Sequence, residues 1–179
     1  MLQNNLGIQK LSMQKHKMRC AGIYTIMEHL LVNNTLRVLD LTANEIRFQG
    51  CESIAKYLKS DTCTLESLHL GTNESGNYGA KAIAQALPIN KSLIHLDMSH
   101  SQIEDFGLTQ IAQSLAENST IMSIKFFGNH FDQDCLELFY ELFRQERENQ
   151  WYPDFIVYVV DEHYEMAYLE TALDMDIYV

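Results

Sequence analysis

Ser67, His69, His95 and Asp97 are the residue types from which a serine hydrolase is built. A hydroxyl attacks, an imidazole takes its proton, and a carboxylate orients the imidazole. The two histidines with Asp97 could instead converge on a divalent metal. Hydrolysis needs the base within hydrogen-bond reach of the nucleophile, and free donors for the oxyanion. Residue types alone meet neither demand, so the elements that carry them decide. Other chemistries are weaker. Asp161, Glu162, Asp174 and Asp176 lack the D-x-D-x-D-G pattern of a calcium loop. Gly71-Thr72-Asn73-Glu74-Ser75-Gly76 lacks the lysine of a phosphate loop. The cysteines Cys20, Cys51, Cys63 and Cys135 show no two-residue spacing and read as reduced thiols. No cofactor is expected.

The elements follow from internal repetition. Leu36-Arg37-Val38-Leu39-Asp40-Leu41-Thr42-Ala43-Asn44-Glu45-Ile46 fits L-x-x-L-x-L-x-x-N-x-I. The pattern returns as Leu65, Leu68, Leu70 and Asn73, then as Leu93, Leu96, Met98 and Ser101, then as Ile121, Ile124, Phe126 and Asn129. The steps are 29, 28 and 28 residues. A degenerate first copy holds Ile8, Leu11 and Met13, with His16 at the Asn position. Behind each strand pattern comes Gly22, Gly50, Gly79, Gly107 or Cys135, followed by apolar residues at offsets of 1, 4, 5 and 8. Those offsets define one face of a helix. The sixth offset is polar throughout: Glu28, Lys56, Gln85, Gln113 and Glu141. Each copy therefore reads as strand, turn and amphipathic helix, and neither half buries its apolar face without a stacked neighbour. The Asn side chains are expected to satisfy turn backbone groups, with His16 and Ser101 as weaker rungs.

Composition agrees with a packed chain: 46% of 179 residues are apolar and only Pro88 and Pro153 interrupt it. No apolar run approaches the roughly 20 residues that span a membrane, and the first residues lack the apolar stretch of a secretory signal. The net charge of −11 is uneven. Residues 1–60 hold eight basic and four acidic residues, and residues 61–179 hold five and twenty. This excess argues against general binding to nucleic acid or anionic membranes.

The repeat lengths and the consensus around Leu36–Leu58 resemble ribonuclease-inhibitor-type leucine-rich repeats over about residues 8–148. The resemblance implies an α/β solenoid: a horseshoe arc with parallel strands on the concave face and helices on the convex face. It also implies protein ligands, held on the concave face or its rim. The tail, Phe155–Glu170, resembles the closing segment of one group of leucine-rich-repeat-containing proteins, in which Y-V-V-D-G leads into a second strand. Glu162 stands where that group has glycine, which argues against a tight turn with positive φ. The expected organisation is five stacked repeats over residues 1–149 and a C-terminal β cap over 150–179. Phe155–Val160 is apolar on both sides, suiting it to cover the core end left by Phe126, Phe131 and Phe139. The charged run Arg144–Asn149 marks the solvated end of the last helix. No matching cap appears at the N-terminal end, which reads either as a shortened horseshoe or as a surface for a docked partner.

In this frame the residues flanking the core leucines face the concave side. Strands about 4.8 Å apart would then align Asp40, His69, Asp97 and Lys125 in one polar row. A flat strand surface commits its backbone N–H groups to the sheet, which disfavours an oxyanion hole. His69 and His95 fall in different columns, a poor geometry for metal. A protein contact surface fits better, formed by Asp40, Thr42, His69, His95, Asp97, Lys125 and Phe127. Phe127 reads equally as an anchor for a partner or as packing beneath the cap. The expected function is a non-enzymatic interaction scaffold within a larger assembly, ciliary, axonemal or otherwise cytoskeletal. An inhibitory module that binds a basic protein such as a nuclease is the alternative, and a hydrolase built on the row is a third. The expected partners are proteins, not small-molecule substrates, nucleic acid or membranes. The expected setting is intracellular: the cytoplasm, a cilium or flagellum axoneme, or the nucleus.

Overall fold

Five copies of the repeat each place a three-residue strand ahead of a helix. The computed structural model describes residues 5, 7–145 and 152–169. In chain order the elements are β1 (Lys10–Ser12), α1 (Arg19–Leu30), β2 (Val38–Asp40), α2 (Phe48–Leu58), β3 (Ser67–His69), α3 (Gly76–Ala84), β4 (His95–Asp97), α4 (Asp105–Glu117), β5 (Ser123–Lys125) and α5 (Gln133–Arg144). Then come β6 (Tyr152–Pro153), β7 (Phe155–Val160) and β8 (His163–Tyr168). Strands β1 to β6 form one sheet in sequence order, every pair parallel. The helices pack successively against one another behind it. The arrangement is an open leucine-rich-repeat solenoid.

The apolar offsets explain the core. Leu36, Leu39 and Leu41 are fully buried, as are their counterparts Leu65, Leu68 and Leu70. At the fourth offset Ile54, Ile83, Ile111 and Phe139 project from the helices into the same layer, each fully buried, whereas Ile26 of the first copy is only partly buried and Ile23, at the first offset, is fully buried. The polar sixth-offset residues are all exposed. Burying a leucine contributes about 1.5–3 kcal/mol, and one continuous cluster runs from Ile23 to Phe155. Ile8, Leu11 and Met13 of the first copy are only partly buried, because nothing stacks on their other side in the described residues.

The turn ladder is made as the residue types dictate. Asn73 Oδ1 accepts the amides of Asn44 (2.9 Å) and Ile46 (3.1 Å) from the preceding repeat, and its Nδ2 donates to the carbonyls of Leu70 and Leu41. Asn44 and Asn129 repeat the scheme. Ser101 supplies only its donor, to the Leu70 and Ser99 carbonyls. His16 turns its ring to the Gln14 carbonyl, away from the ladder. A second ladder escaped the sequence reading. Asn33, Asn90 and Asn118, each three residues before a core leucine or isoleucine, accept two amides from the loop that enters the next strand. Asn118 Nδ2 also reaches the Leu87 carbonyl of the repeat before.

The C-terminal segment departs from expectation in three ways. Tyr152–Pro153 first extends the parallel sheet beside β5, and only then does the antiparallel β7–β8 hairpin begin. The hairpin turn is tight after all: Asp161 (φ 49°) and Glu162 (φ 67°) both occupy the left-handed region of a two-residue loop. Glutamate adopts this conformation because ladder pairs from Val160–His163 to Phe155–Tyr168 hold the two strands together. Finally, β7 is not buried on both sides. Phe155 is fully buried against Phe131, Phe139 and Phe143, with ring centroids 5.1–5.5 Å apart. Ile156, Tyr158, Val159 and Val160 are all exposed, and Val157 is only partly buried. Asp154, between β6 and β7, accepts the amides of Phe126 (2.9 Å) and Phe127 (3.1 Å). Its carboxylate so satisfies donors that another strand would otherwise meet. Residues 146–149 of the charged run, the boundary at 149/150, and Asp174 and Asp176 lie outside the described residues.

Candidate functional site

The parallel register brings the candidate residues together. Cα pairing runs Ser12, Asp40, His69, Asp97, Lys125 along one column, and Lys10, Val38, Ser67, His95, Ser123 along the next. Alternation puts both columns on the side of the sheet away from the helices. Between them lies a concave cavity of about 230 Å³, whose polar walls include Ser67, His69, His95, Asp97 and Lys125. Lys10, Glu66 and Ile94 also line it, and the sequence reading missed them. The usable signal was their place beside outward-facing strand residues.

This row is less open than a solvated surface. Asp40 is 4% exposed and His69 8%. Asp40 takes hydrogen bonds from the Gln14 side chain, from Ser12 Oγ (3.4 Å) and from the Thr42 amide (3.0 Å). His69 Nε2 lies 2.8 Å from Ser67 Oγ, and His69 Nδ1 lies 3.7 Å from Asp97 Oδ2. Asp97 Oδ1 accepts both the amide (2.9 Å) and the hydroxyl (2.7 Å) of Ser99. Gly71 leaves room for this: a methyl there would come within 2.9 Å of Ser99 Oγ and 3.0 Å of an Asp97 oxygen.

Burial alone would raise the Asp97 pKa, but His69 and the two Ser99 donors outweigh it and hold the carboxyl below its ordinary value. Burial depresses His95, and the neighbouring His69 and Lys125 add to the effect, which favours the neutral imidazole. Burial raises Asp154 above the usual carboxylate value despite its two amide donors. Buried Cys51 and Cys135 are pushed up to about 11 and about 12, so both are protonated thiols near neutral pH.

Ser67, His69 and Asp97 thus stand in the order of a hydrolytic triad. The Ser67 amide, however, donates to the Arg37 carbonyl (3.0 Å), and Leu68 lies in the ladder with Leu39. The amides nearest the hydroxyl therefore serve the sheet and not an oxyanion. Among the described residues no group of three His, Cys, Asp or Glu side chains could hold a metal, and no helix is long and apolar enough to cross a membrane. Thr42 lies at the end of β2, bonded through its amide to Asp40. Phe127 is partly buried beneath the hairpin, its ring 4.9 Å from Tyr168 and edge-on to His100 at 6.2 Å.

Repeats, register and open arc define the class of fold: a leucine-rich-repeat solenoid, similar to the ribonuclease-inhibitor type. The leucine-rich-repeat family model matches residues 32–55 and 90–112. Along 99% of its length, tail included, the chain is 34% identical to leucine-rich repeat-containing protein 34 of Mus musculus. It spans 43% of that relative, less than half. Ribonuclease inhibitor of Sus scrofa is 28% identical over 65% of the chain, which covers 26% of the inhibitor. Among solved structures, actin-binding site 2 of leiomodin-1 shares the fold, with a TM-score of 0.66 and 21% identity over 79% of this chain and 82% of that one.

Proposed function

We propose that this chain is a non-enzymatic scaffold that holds another protein on its concave face, within a larger cytoskeletal or ciliary axonemal assembly. The observation that carries the reading is the registered row Asp40–His69–Asp97–Lys125 beside the cavity that His95 helps to wall. A partner side chain entering a desolvated concave pocket is a common source of interface energy. His95, Asp97 and Lys125 supply the accessible polar contacts, Asp40 and His69 stiffen the floor, and Thr42 and Phe127 flank it. The likeness in fold to leiomodin-1 actin-binding site 2 suits a cytoskeletal setting. The committed amides around Ser67 favour contact over catalysis.

The test is cross-linking mass spectrometry in the native assembly, repeated with His95→Ala/Lys125→Glu. Both positions are partly exposed, so the fold should survive, as circular dichroism would check. Cross-links from the concave face that vanish in the variant support the proposal. Cross-links that persist unchanged contradict it, as does esterase turnover that disappears only in His69→Ala.

A second reading, inhibition of a basic enzyme, draws on the net charge of −11 and the likeness to ribonuclease inhibitor. It separates from the first by salt. Affinity for a basic target should fall steeply between 0.05 and 0.5 M salt, roughly where the Debye length shrinks from above 10 Å to a few ångströms.

A further inference from the structure

The helix side of the arc carries an aromatic row that the concave reading does not use. Phe48, Tyr78 and Phe106 sit in the first turns of α2, α3 and α4, and are 40%, 71% and 46% exposed. The rings of Phe48 and Tyr78 lie 6.1 Å apart, and the Lys81 ammonium stands 5.9 Å from the Phe106 centroid. Phe48 and Tyr78 are thus in contact across two repeats, and Phe106 stands one repeat further on, beside Lys81 of the Tyr78 helix. Single exposed aromatics are ordinary, but a run of three on neighbouring elements marks a contact surface. The turn that opens α5 has Asp134 at this place, so the apolar row stops there.

One residue on from Phe48, Gln49 helps to line a groove between α1 and α2, about 340 Å³ in volume, whose walls also include Tyr24, Glu28 and Glu52. Tyr24 adds a fourth aromatic, 43% exposed. Glu28 and Glu52 are exposed and make no hydrogen bond or ion pair among the described residues; Lys56 is the single cation on the groove. Two carboxylates facing one groove beside an aromatic row suit a cationic side chain with apolar neighbours. Such a cation can also lie over the Tyr24 or Phe48 ring.

We propose that this surface is a second docking site, for a protein segment that places Lys or Arg between Glu28 and Glu52 and apolar side chains on Phe48, Tyr78 and Phe106. The site is independent of the concave row, so the chain can bridge two partners.

The probe is a random peptide library displayed on phage and panned against the purified chain, with enriched peptides resynthesised and titrated by fluorescence anisotropy. Enriched peptides should combine Lys or Arg with apolar residues. Tyr78→Ser/Phe106→Ser should weaken them by tenfold or more, and so should Glu28→Lys/Glu52→Lys, while His95→Ala/Lys125→Glu leaves them unchanged. All of these positions are at least partly exposed, and thermal melts should confirm that each variant folds. The proposal is overturned if no basic–apolar class is enriched, or if binding survives both surface variants. It is equally overturned if binding is lost in the concave variant. A chain that sediments as a dimer, and becomes a monomer on Tyr78→Ser/Phe106→Ser, would show the occupant to be a second copy instead.

Discussion

Asn73 shows how much of this molecule depends on single polar side chains. Its amide serves two donors and three acceptors across two successive turns while 3% exposed. Ser101 holds the equivalent place one repeat later and can only donate there. Restoring the rung with Ser101→Asn should recover about one or two hydrogen bonds, each contributing roughly 0.5–1.5 kcal/mol. The midpoint of urea unfolding should rise; a fall would mean that the serine pocket cannot take the larger side chain. Asn73→Ala should do the opposite and cost about 3 kcal/mol or more, since each orphaned buried group costs roughly 1–3 kcal/mol. At the concave site, the depressed His95 pKa means that the folded state binds a proton less readily than the unfolded chain. As pH falls through the ordinary imidazole range, about 6.5 and below, the unfolded state protonates first and stability drops. His95→Gln should flatten the melting temperature between pH 7 and 5 relative to wild type. Asp97, also depressed, loses its contribution only below the usual carboxylate range. Asp154 has the opposite sign: its pKa is raised, so its stabilising effect is fullest at low pH and fades as pH rises through the raised value.

At the scale of elements, the hairpin is the place where a local rule is overridden. Asp161 and Glu162 both take positive φ to close β7 onto β8. An L-residue in that region loses about 1 kcal/mol that glycine does not. Glu162→Gly should therefore stabilise the cap by roughly 0.5–1 kcal/mol, after the entropy that glycine adds to the unfolded chain. Differential scanning calorimetry would register it, and an unchanged or lower melting temperature would show that the turn is not under strain. The aromatic cluster around Phe155 is the other test of this element. Phe155→Ala removes a fully buried ring that meets three others. Its cost should lie near 3–5 kcal/mol, the usual range for a buried phenylalanine. A small cost would mean that the hairpin rests on the sheet without closing its core.

For the whole molecule, stacking makes stability nearly one-dimensional, because each repeat touches only its neighbours. The inner strands β3 and β4 have a partner on both sides, whereas β1 has one among the described residues. Hydrogen exchange should therefore be slowest at amides such as Leu70 N, which donates to Asp97, and Met98 N, which donates to Lys125. It should be fastest in β1 and α1. Equal protection from end to end would contradict local opening and point to a single cooperative unit.

The residue spacing alone determined the repeat and the helical faces; the parallel sheet, and the column that holds Asp40, His69, Asp97 and Lys125, followed from the resemblance to leucine-rich repeats. The first two are consequences of local periodicity, and periods of 28 and 29 residues leave one stacking register. What only the tertiary structure decided depends on distance between repeats. The burial of Asp40 and His69 comes from side chains on adjacent strands, and the Asn33–Asn90–Asn118 ladder from loops a full repeat apart. The position of Phe127 beneath Tyr168, and the sixth strand, likewise arise from pairing between segments far apart in the chain. Contacts between repeats carry those energies, and no single repeat contains both partners.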